Sequence, residues 1–220
     1  MGRLVVVTGV GTGIGKTHLA VALVRALAKR GVQVAGYKPI ESGLEPGVPG
    51  DADRLLAASS VKVEPAPLFG FRTPVSPHLA AELEGQPIDP MVIRDAVERA
   101  REHADVTVVE LAGGLFSPLS RSADNADLLA HLSPDLTLLV AEDCLGVLHH
   151  VRATALAAKA RGAGAFDVAL VAPKAADAST RRNAEFLSAA HRVHDVPRAD
   201  SDALAASSQV AGLVERALTA

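Results

Sequence analysis

Several residue types are scarce in this chain of 220 residues, and each shortage removes a class of function. There is one cysteine, Cys144, so the chain closes no internal disulfide and builds no cysteine-based zinc cluster. There is no tryptophan and a single tyrosine, Tyr37, and aromatics make up 3% of the residues, which leaves little to stack on bases or sugars. There is no excess of positive charge: 22 Lys and Arg face 25 Asp and Glu, for a formal net charge of −3. A general nucleic-acid binder would normally be basic. No apolar run approaches the roughly 18 residues that a membrane-spanning helix needs. The first residues lack a signal-peptide layout, because their short apolar run ends in a glycine-rich turn. Together these shortages predict a soluble cytoplasmic protein that engages neither nucleic acid nor membrane.

Apolar residues, at 49%, are plentiful enough for a full core, and the length fits a single domain over 1–220. Leu4 to Val7 is a continuous, β-branched-rich run of the kind found in strands buried on both faces. Lys16 to Arg30 predicts a helix, with Leu19, Leu23, Ala26 and Leu27 on one stripe and Gly31 as its stop. Val32 to Tyr37 predicts a second strand, and Val106–Val109, Leu136–Ala141 and Phe166–Ala172 three more. Helices are predicted at Asp51–Ser60, between Pro77 and Pro87, and at Pro90–His103, Val147–Arg161, Ala178–His191 and Ser207–Ala217. Residues 38–50 read as irregular, and most of 61–77 as ordered loop. The alternation predicts a three-layer, doubly wound, mostly parallel α/β domain with right-handed crossovers.

One segment carries explicit chemistry. Gly9-Val10-Gly11-Thr12-Gly13-Ile14-Gly15-Lys16-Thr17 lies between a predicted strand and a predicted helix, the setting of a P-loop. It is one residue longer than the regular form. Its glycines let backbone N–H groups turn toward phosphate oxygens, and the helix start adds positive potential. Lys16 suits the β- and γ-phosphates, and the Thr17 hydroxyl suits Mg²⁺. No G-x-G-x-x-G occurs in the loop, which argues against a dinucleotide-binding alternative. Magnesium needs more oxygen ligands. Glu110 ends a predicted strand, where side chains face the ligand crevice of open α/β sheets. Asp51 and Asp53 begin a predicted helix; by spacing alone, Asp51 serves equally as a helix cap and Glu110 as a solvated strand end.

Five blocks, in order over residues 8–150, resemble the dethiobiotin synthetase family. They are Thr8 to Thr17; Ala35-Gly36-Tyr37-Lys38-Pro39 with Ser42-Gly43; Ser76-Pro77-His78; Val109-Glu110-Leu111-Ala112-Gly113-Gly114 with Pro118-Leu119; and Leu145-Gly146-Val147-Leu148-His149-His150. The resemblance implies a P-loop fold and an ATP- and Mg²⁺-dependent ligase that carboxylates 7,8-diaminopelargonic acid and closes its ureido ring. It implies that Gly13, Ile14, Gly15, Lys16, Thr17 and His18 bind the nucleotide phosphates, with Pro197 and Arg198 near the base. Thr17, Asp51 and Glu110 are the implied metal ligands, with Asp53 as the alternate to Asp51. Lys38 is the implied catalytic lysine beside Lys16, and Thr12 and Ser42 donate to phosphate or carbamate oxygens. Ala112 and Gly113 lie on the substrate side, and Gly146, Val147, Leu148 and His149 of a second subunit hold the substrate carboxylate, which implies a homodimer with shared sites. The chain departs from the family pattern at Gly13, Leu111, His149 and Ala172-Pro173.

Two other functions fit parts of the pattern. A switch-type P-loop ATPase usually carries an extra lysine early in the loop, where this chain has Val10, Gly11, Thr12 and Gly13. A non-catalytic nucleotide-binding relative would keep the phosphate loop without turnover. An amide-forming synthetase would need an ammonia-supplying domain, for which 220 residues leave no room.

Overall fold

A computed structural model describes residues 1–220. In chain order the elements are β1 (Arg3–Gly9), α1 (Lys16–Lys29), β2 (Val34–Tyr37), β3 (Ile40–Ser42), α2 (Asp51–Ala58), β4 (Phe69–Phe71), α3 (Pro77–Glu84), α4 (Pro90–His103) and β5 (Val106–Glu110). They continue with α5 (Asn125–Leu132), β6 (Leu136–Glu142), α6 (Val147–Ala160), β7 (Asp167–Val171), α7 (Asn183–Leu187), β8 (Val193–Val196), α8 (Ser201–Ala205) and α9 (Ser208–Thr219).

The main sheet has six strands in the order β2-β5-β1-β6-β7-β8, every pair parallel. Alternation along β1 divides the core. Val5 and Val7 pack with α1, α8 and α9 in a 26-residue cluster. Leu4 and Val6 pack on the opposite face with side chains of α3, α4 and α5 in a 22-residue cluster. Both faces of β1 are therefore covered, which is why it reads as an unbroken apolar run. The chain leaves β1 toward β2 on one side and returns across it to β6 on the other. The switch point thus lies at the carboxyl end of β1, where ligands bind in such sheets.

Four expectations are corrected. Residues 38–50 and 61–77 contribute β3 and β4, a two-stranded parallel pair in the register Ile40↔Phe69 to Ser42↔Phe71. Three-residue strands are too short to print a periodicity. The expected helix Ala178–His191 shrinks to Asn183–Leu187. Asp177 accepts the N–H groups of Ser179 and Thr180, Arg181 takes a left-handed φ of 67°, and Asp143 accepts the Arg181 N–H, so the chain turns before the helix begins. β8 then adds a parallel edge to β7; its polar centre, His194, bonds Asp167. Finally, α5 escapes the apolar pattern but is set by a capping box between Asp124 and Asp127.

Candidate active site

The glycine-rich loop leaves β1 at the switch point. Gly13 and Gly15 adopt φ of 75° and 95°, a region that side chains resist. Ile14 turns back against the core, so only its backbone faces the loop's concave side. The Lys16 ammonium donates to the Gly11 carbonyl at 2.6 Å, curled over its own loop. The loop opens on a cavity of about 720 Å³.

Lys38, the residue after β2, is buried and faces the same cavity. Its ammonium donates to Asp51 Oδ2 at 2.6 Å and lies 3.1 Å from Glu110 Oε1. Thr17 Oγ1 is 2.8 Å from that Asp51 oxygen and 2.7 Å from that Glu110 oxygen. A hydroxyl has one proton, so Thr17 donates to one carboxylate at a time. Four elements, α1, β2, α2 and β5, therefore converge on one knot of charge. Asp53 is not part of it: its side chain accepts the Gly50 N–H at 2.8 Å and caps α2.

The electrostatics follow from burial and proximity. Burial pulls the Lys16 pKa down to about 8, with neighbouring Lys38 adding to the fall and Glu110 opposing it. Burial also works against the Lys38 charge, but Glu110 and Asp51 overcome it and hold its pKa above the ordinary value. Asp51 is held below its ordinary value because Lys38 and Thr17 outweigh its own desolvation. Glu110 is fully enclosed, and its Oε2 has no hydrogen-bond partner.

These residues fit a divalent cation. Two carboxylates and a hydroxyl are hard oxygen donors, Glu110 Oε2 is an orphaned acceptor, and an ammonium already stands between the carboxylates as a cation. No group of three or more His, Cys, Asp or Glu side chains forms a self-sufficient metal cage. Magnesium does not require one, since it usually takes one or two carboxylates with substrate phosphates and water.

The loop after β5 completes the wall. Leu111 donates its N–H to Val7 and sends its side chain into the core, away from the cavity. Ala112 and Gly113 line the cavity. A Cβ on Gly114 would stand 3.2 Å from the Gly9 carbonyl oxygen, so the two loops touch by backbone alone. Thr12, Gly15, His18 and Ser42 also reach the cavity. The Ser42 hydroxyl donates to the Val75 carbonyl at 2.7 Å. His18 Nε2 is buried without a partner, and burial lowers its pKa.

Two predicted groups lie elsewhere. Pro197 and Arg198 follow β8 outside the cavity; Arg198 donates to the Ala172 carbonyl at 3.1 Å and approaches Glu142 at 3.4 Å, tying the strand ends together. Gly146, Val147, Leu148 and His149 begin α6, also away from the cavity. The Val147 side chain is core, and its N–H is used by the Cys144 carbonyl.

Sequence reasoning missed three contributors. Glu41 and Arg54 line the cavity beside Asp51. Asn125 is fully buried, and its amide donates to the carbonyls of Ala112 at 2.7 Å and Gly114 at 2.8 Å, pinning the loop after β5. Glu41 had a legible signal, an acid placed three residues after the lysine; Asn125 had none, because its partners are remote.

A family model described as an AAA domain matches residues 3–202. The ATP-dependent dethiobiotin synthetase BioD of Caulobacter sp. (strain K31) is 42% identical over 162 residues, 70% of this chain and 69% of that protein. The chain belongs to the dethiobiotin synthetase family. Another dethiobiotin synthetase BioD, from Anaeromyxobacter dehalogenans (strain 2CP-1 / ATCC BAA-258), is 44% identical over 160 residues, 71% of this chain and 70% of that one. Among solved structures, the septum site-determining protein MinD complexed with Mg-ADP from Pyrococcus horikoshii OT3 aligns with a TM-score of 0.62 at 15% identity, covering 99% of this chain and 95% of that one. At that identity the likeness speaks for the P-loop fold alone. Within the dethiobiotin synthetase family pattern, the departure at Leu111 is absorbed by the core rather than by the cavity.

Proposed function

We propose that the chain performs ATP-dependent closure of the ureido ring on 7,8-diaminopelargonic acid with CO₂, yielding dethiobiotin, ADP and phosphate. The observation that carries this reading is the shared cavity of Lys16 and Lys38, lined also by Thr17, Asp51 and Glu110. One substrate amine takes up CO₂ and releases a proton to form a carbamate. A carbamate oxygen attacks the γ-phosphorus and ADP leaves. The second amine attacks the carbon of the resulting carbamic–phosphoric anhydride, loses a proton and expels phosphate, closing the ring. Negative charge gathers on oxygen at every stage, so two ammonium groups and oriented N–H donors are the tools the reaction needs.

In this reading Lys16 and the amides of Gly13, Ile14 and Gly15 hold phosphate oxygens, with His18 at the loop's far side. Lys38 neutralises the carbamate and the transferring phosphoryl group, Thr12 and Ser42 orient them, and Ala112 and Gly113 border the substrate. Thr17, Asp51 and Glu110 are the residues that would hold Mg²⁺, which when bound neutralises phosphate charge. The base lies toward Pro197 and Arg198.

The reading includes a homodimer. The start of α6, residues 146–149, faces away from its own chain's cavity and would serve the substrate carboxylate of the partner. The exposed Leu145, Leu156 and Phe186, at 83%, 70% and 55% accessibility, supply an apolar surface beside it. We place the protein in the cytoplasm; no helix is long and apolar enough to cross a membrane. The deciding experiment measures phosphate release from ATP with each component omitted in turn. Release that requires both the diamine and bicarbonate supports the reading; release without either marks a switch ATPase and overturns it.

A further inference from the structure

Glu41 is a buried acid that the proposed reaction does not use. It sits in the middle of β3, where alternation sends Ile40 into the core and turns Glu41 the other way, toward the start of α2. Its two oxygens accept the first two backbone N–H groups of that helix, Asp51 N at 2.7 Å and Ala52 N at 2.9 Å. Those amides have no partner within the helix, and Gly50 at the N-cap has no side chain to offer. Gly50 is also what lets the carboxylate come close, since a Cβ there would stand 2.8 Å from Glu41 Oε1. The segment between them, Glu45 to Pro49, is exposed, so the chain's path into α2 is anchored at Glu41 rather than by packing.

We propose that Glu41 is a positioning residue: by gripping the first two amides of α2 it fixes the Asp51 carboxylate against Lys38 and Thr17. The assignment rests on the reading of Asp51 as a metal-side carboxylate. Its physical basis is a charge-assisted pair of hydrogen bonds at the positive end of a helix, which offsets the repulsion of a third carboxylate beside the knot. Removing Glu41 frees the start of α2, which carries Asp51, while leaving every proposed phosphate contact in place. An outer partner of this kind typically changes metal affinity by 10–100-fold.

The test uses Mn²⁺ as probe, its binding followed by electron paramagnetic resonance in the presence of a non-hydrolysable ATP analogue. Glu41→Gln keeps the volume but turns an NH₂ toward a backbone N–H. It is expected to weaken Mn²⁺ at least roughly ten-fold and to lower kcat in parallel, with metal-free binding of the analogue unchanged. The double variant Glu41→Ala with Gly50→Asn gives α2 a cap of its own. It is expected to match wild-type thermal stability while Mn²⁺ binding stays weak. Wild-type Mn²⁺ affinity in Glu41→Gln, or recovery of stability and Mn²⁺ affinity together in the double variant, would reduce Glu41 to an interchangeable cap and overturn the proposal. The Mn²⁺ measurement needs no diamine. A wild-type chain that binds Mn²⁺ with the analogue but makes no dethiobiotin would therefore defeat the functional reading and leave the role of Glu41 to be judged separately.

Discussion

Two polar clusters in this molecule invite comparison, one at the carboxyl ends of β1, β2 and β5, the other joining β6 to the turn before α7. In the first, Lys38 lies against Asp51 and Glu110, the Glu110 Oε2 and His18 Nε2 atoms have no partner, and a large cavity adjoins them. In the second, Asp143 is just as buried, but both its oxygens are used: Oδ1 accepts from Asn183 at 2.7 Å and Oδ2 from the Arg181 N–H at 2.7 Å. The Thr180 hydroxyl donates to the Asp143 carbonyl as well. Each encloses a buried carboxylate, Glu110 in the first and Asp143 in the second. What separates them is unspent hydrogen-bonding capacity next to open space. A closed network holds a fold together; one with spare valences facing a cavity waits for a ligand.

That contrast can be broken by experiment. The largest effect is expected from Lys38→Ala, which should lower dethiobiotin formation by roughly 10²–10³-fold, the scale of losing one preorganised charge. Nucleotide binding, followed by a fluorescent ATP analogue, should persist; retained turnover would remove Lys38 from the reaction. Asp143→Ala should do the reverse, costing about 1–3 kcal/mol of stability through two stranded donors while leaving nucleotide affinity intact. A calorimetric scan beside a binding titration checks both halves, and a loss of affinity would show that the second cluster is not closed after all.

Acidity sharpens the comparison further. Lys16 has its pKa lowered to about 8 from an ordinary 10.5. Phosphate binding needs its ammonium form, so metal-free nucleotide affinity should fall as pH rises through 8, by roughly five-fold between pH 8 and 9. Titration calorimetry in buffers of different ionisation enthalpy should detect proton uptake on binding in that range, and Lys16→Met should abolish it. The same shift has an opposite sign for folding. The folded chain releases this proton near pH 8 and the unfolded chain near 10.5, so this group's contribution to stability rises over that interval. The smallest effect belongs to the C-terminal region. Gly212 lies exposed inside α9, and a Cβ there meets nothing within 4 Å. Gly212→Ala should therefore stabilise by up to about 1 kcal/mol without touching activity; destabilisation would mean that this face of α9 is covered.

Legibility followed the range of the interactions. The glycine-rich loop, the helix it starts and the buried strands are local patterns, and each appears within a few residues of where the pattern ends. The open question about Asp51 and Asp53 was not local. Both stand in the first turn of α2, and only the fold shows Asp53 turned back onto Gly50 while Asp51 faces Lys38. The Ala-rich stretch after Ala178 carried a helical composition, but side chains from Asp143 and Asp177 captured its first amides and delayed the helix to Asn183.

The amino-acid sequence by itself determined the alternation of buried strands and helices and the turn that presents Lys16 and Thr17, because these depend on φ preferences and apolar spacing within single elements. Only the tertiary structure decided which acids meet them. The strand order slips β5 between β1 and β2, which brings Glu110 within 2.7 Å of Thr17 across 93 residues, and it lets Glu41 grip the helix that carries Asp51. Those meetings are set by sheet topology and by the need to satisfy buried charge, which no window of neighbouring residues encodes.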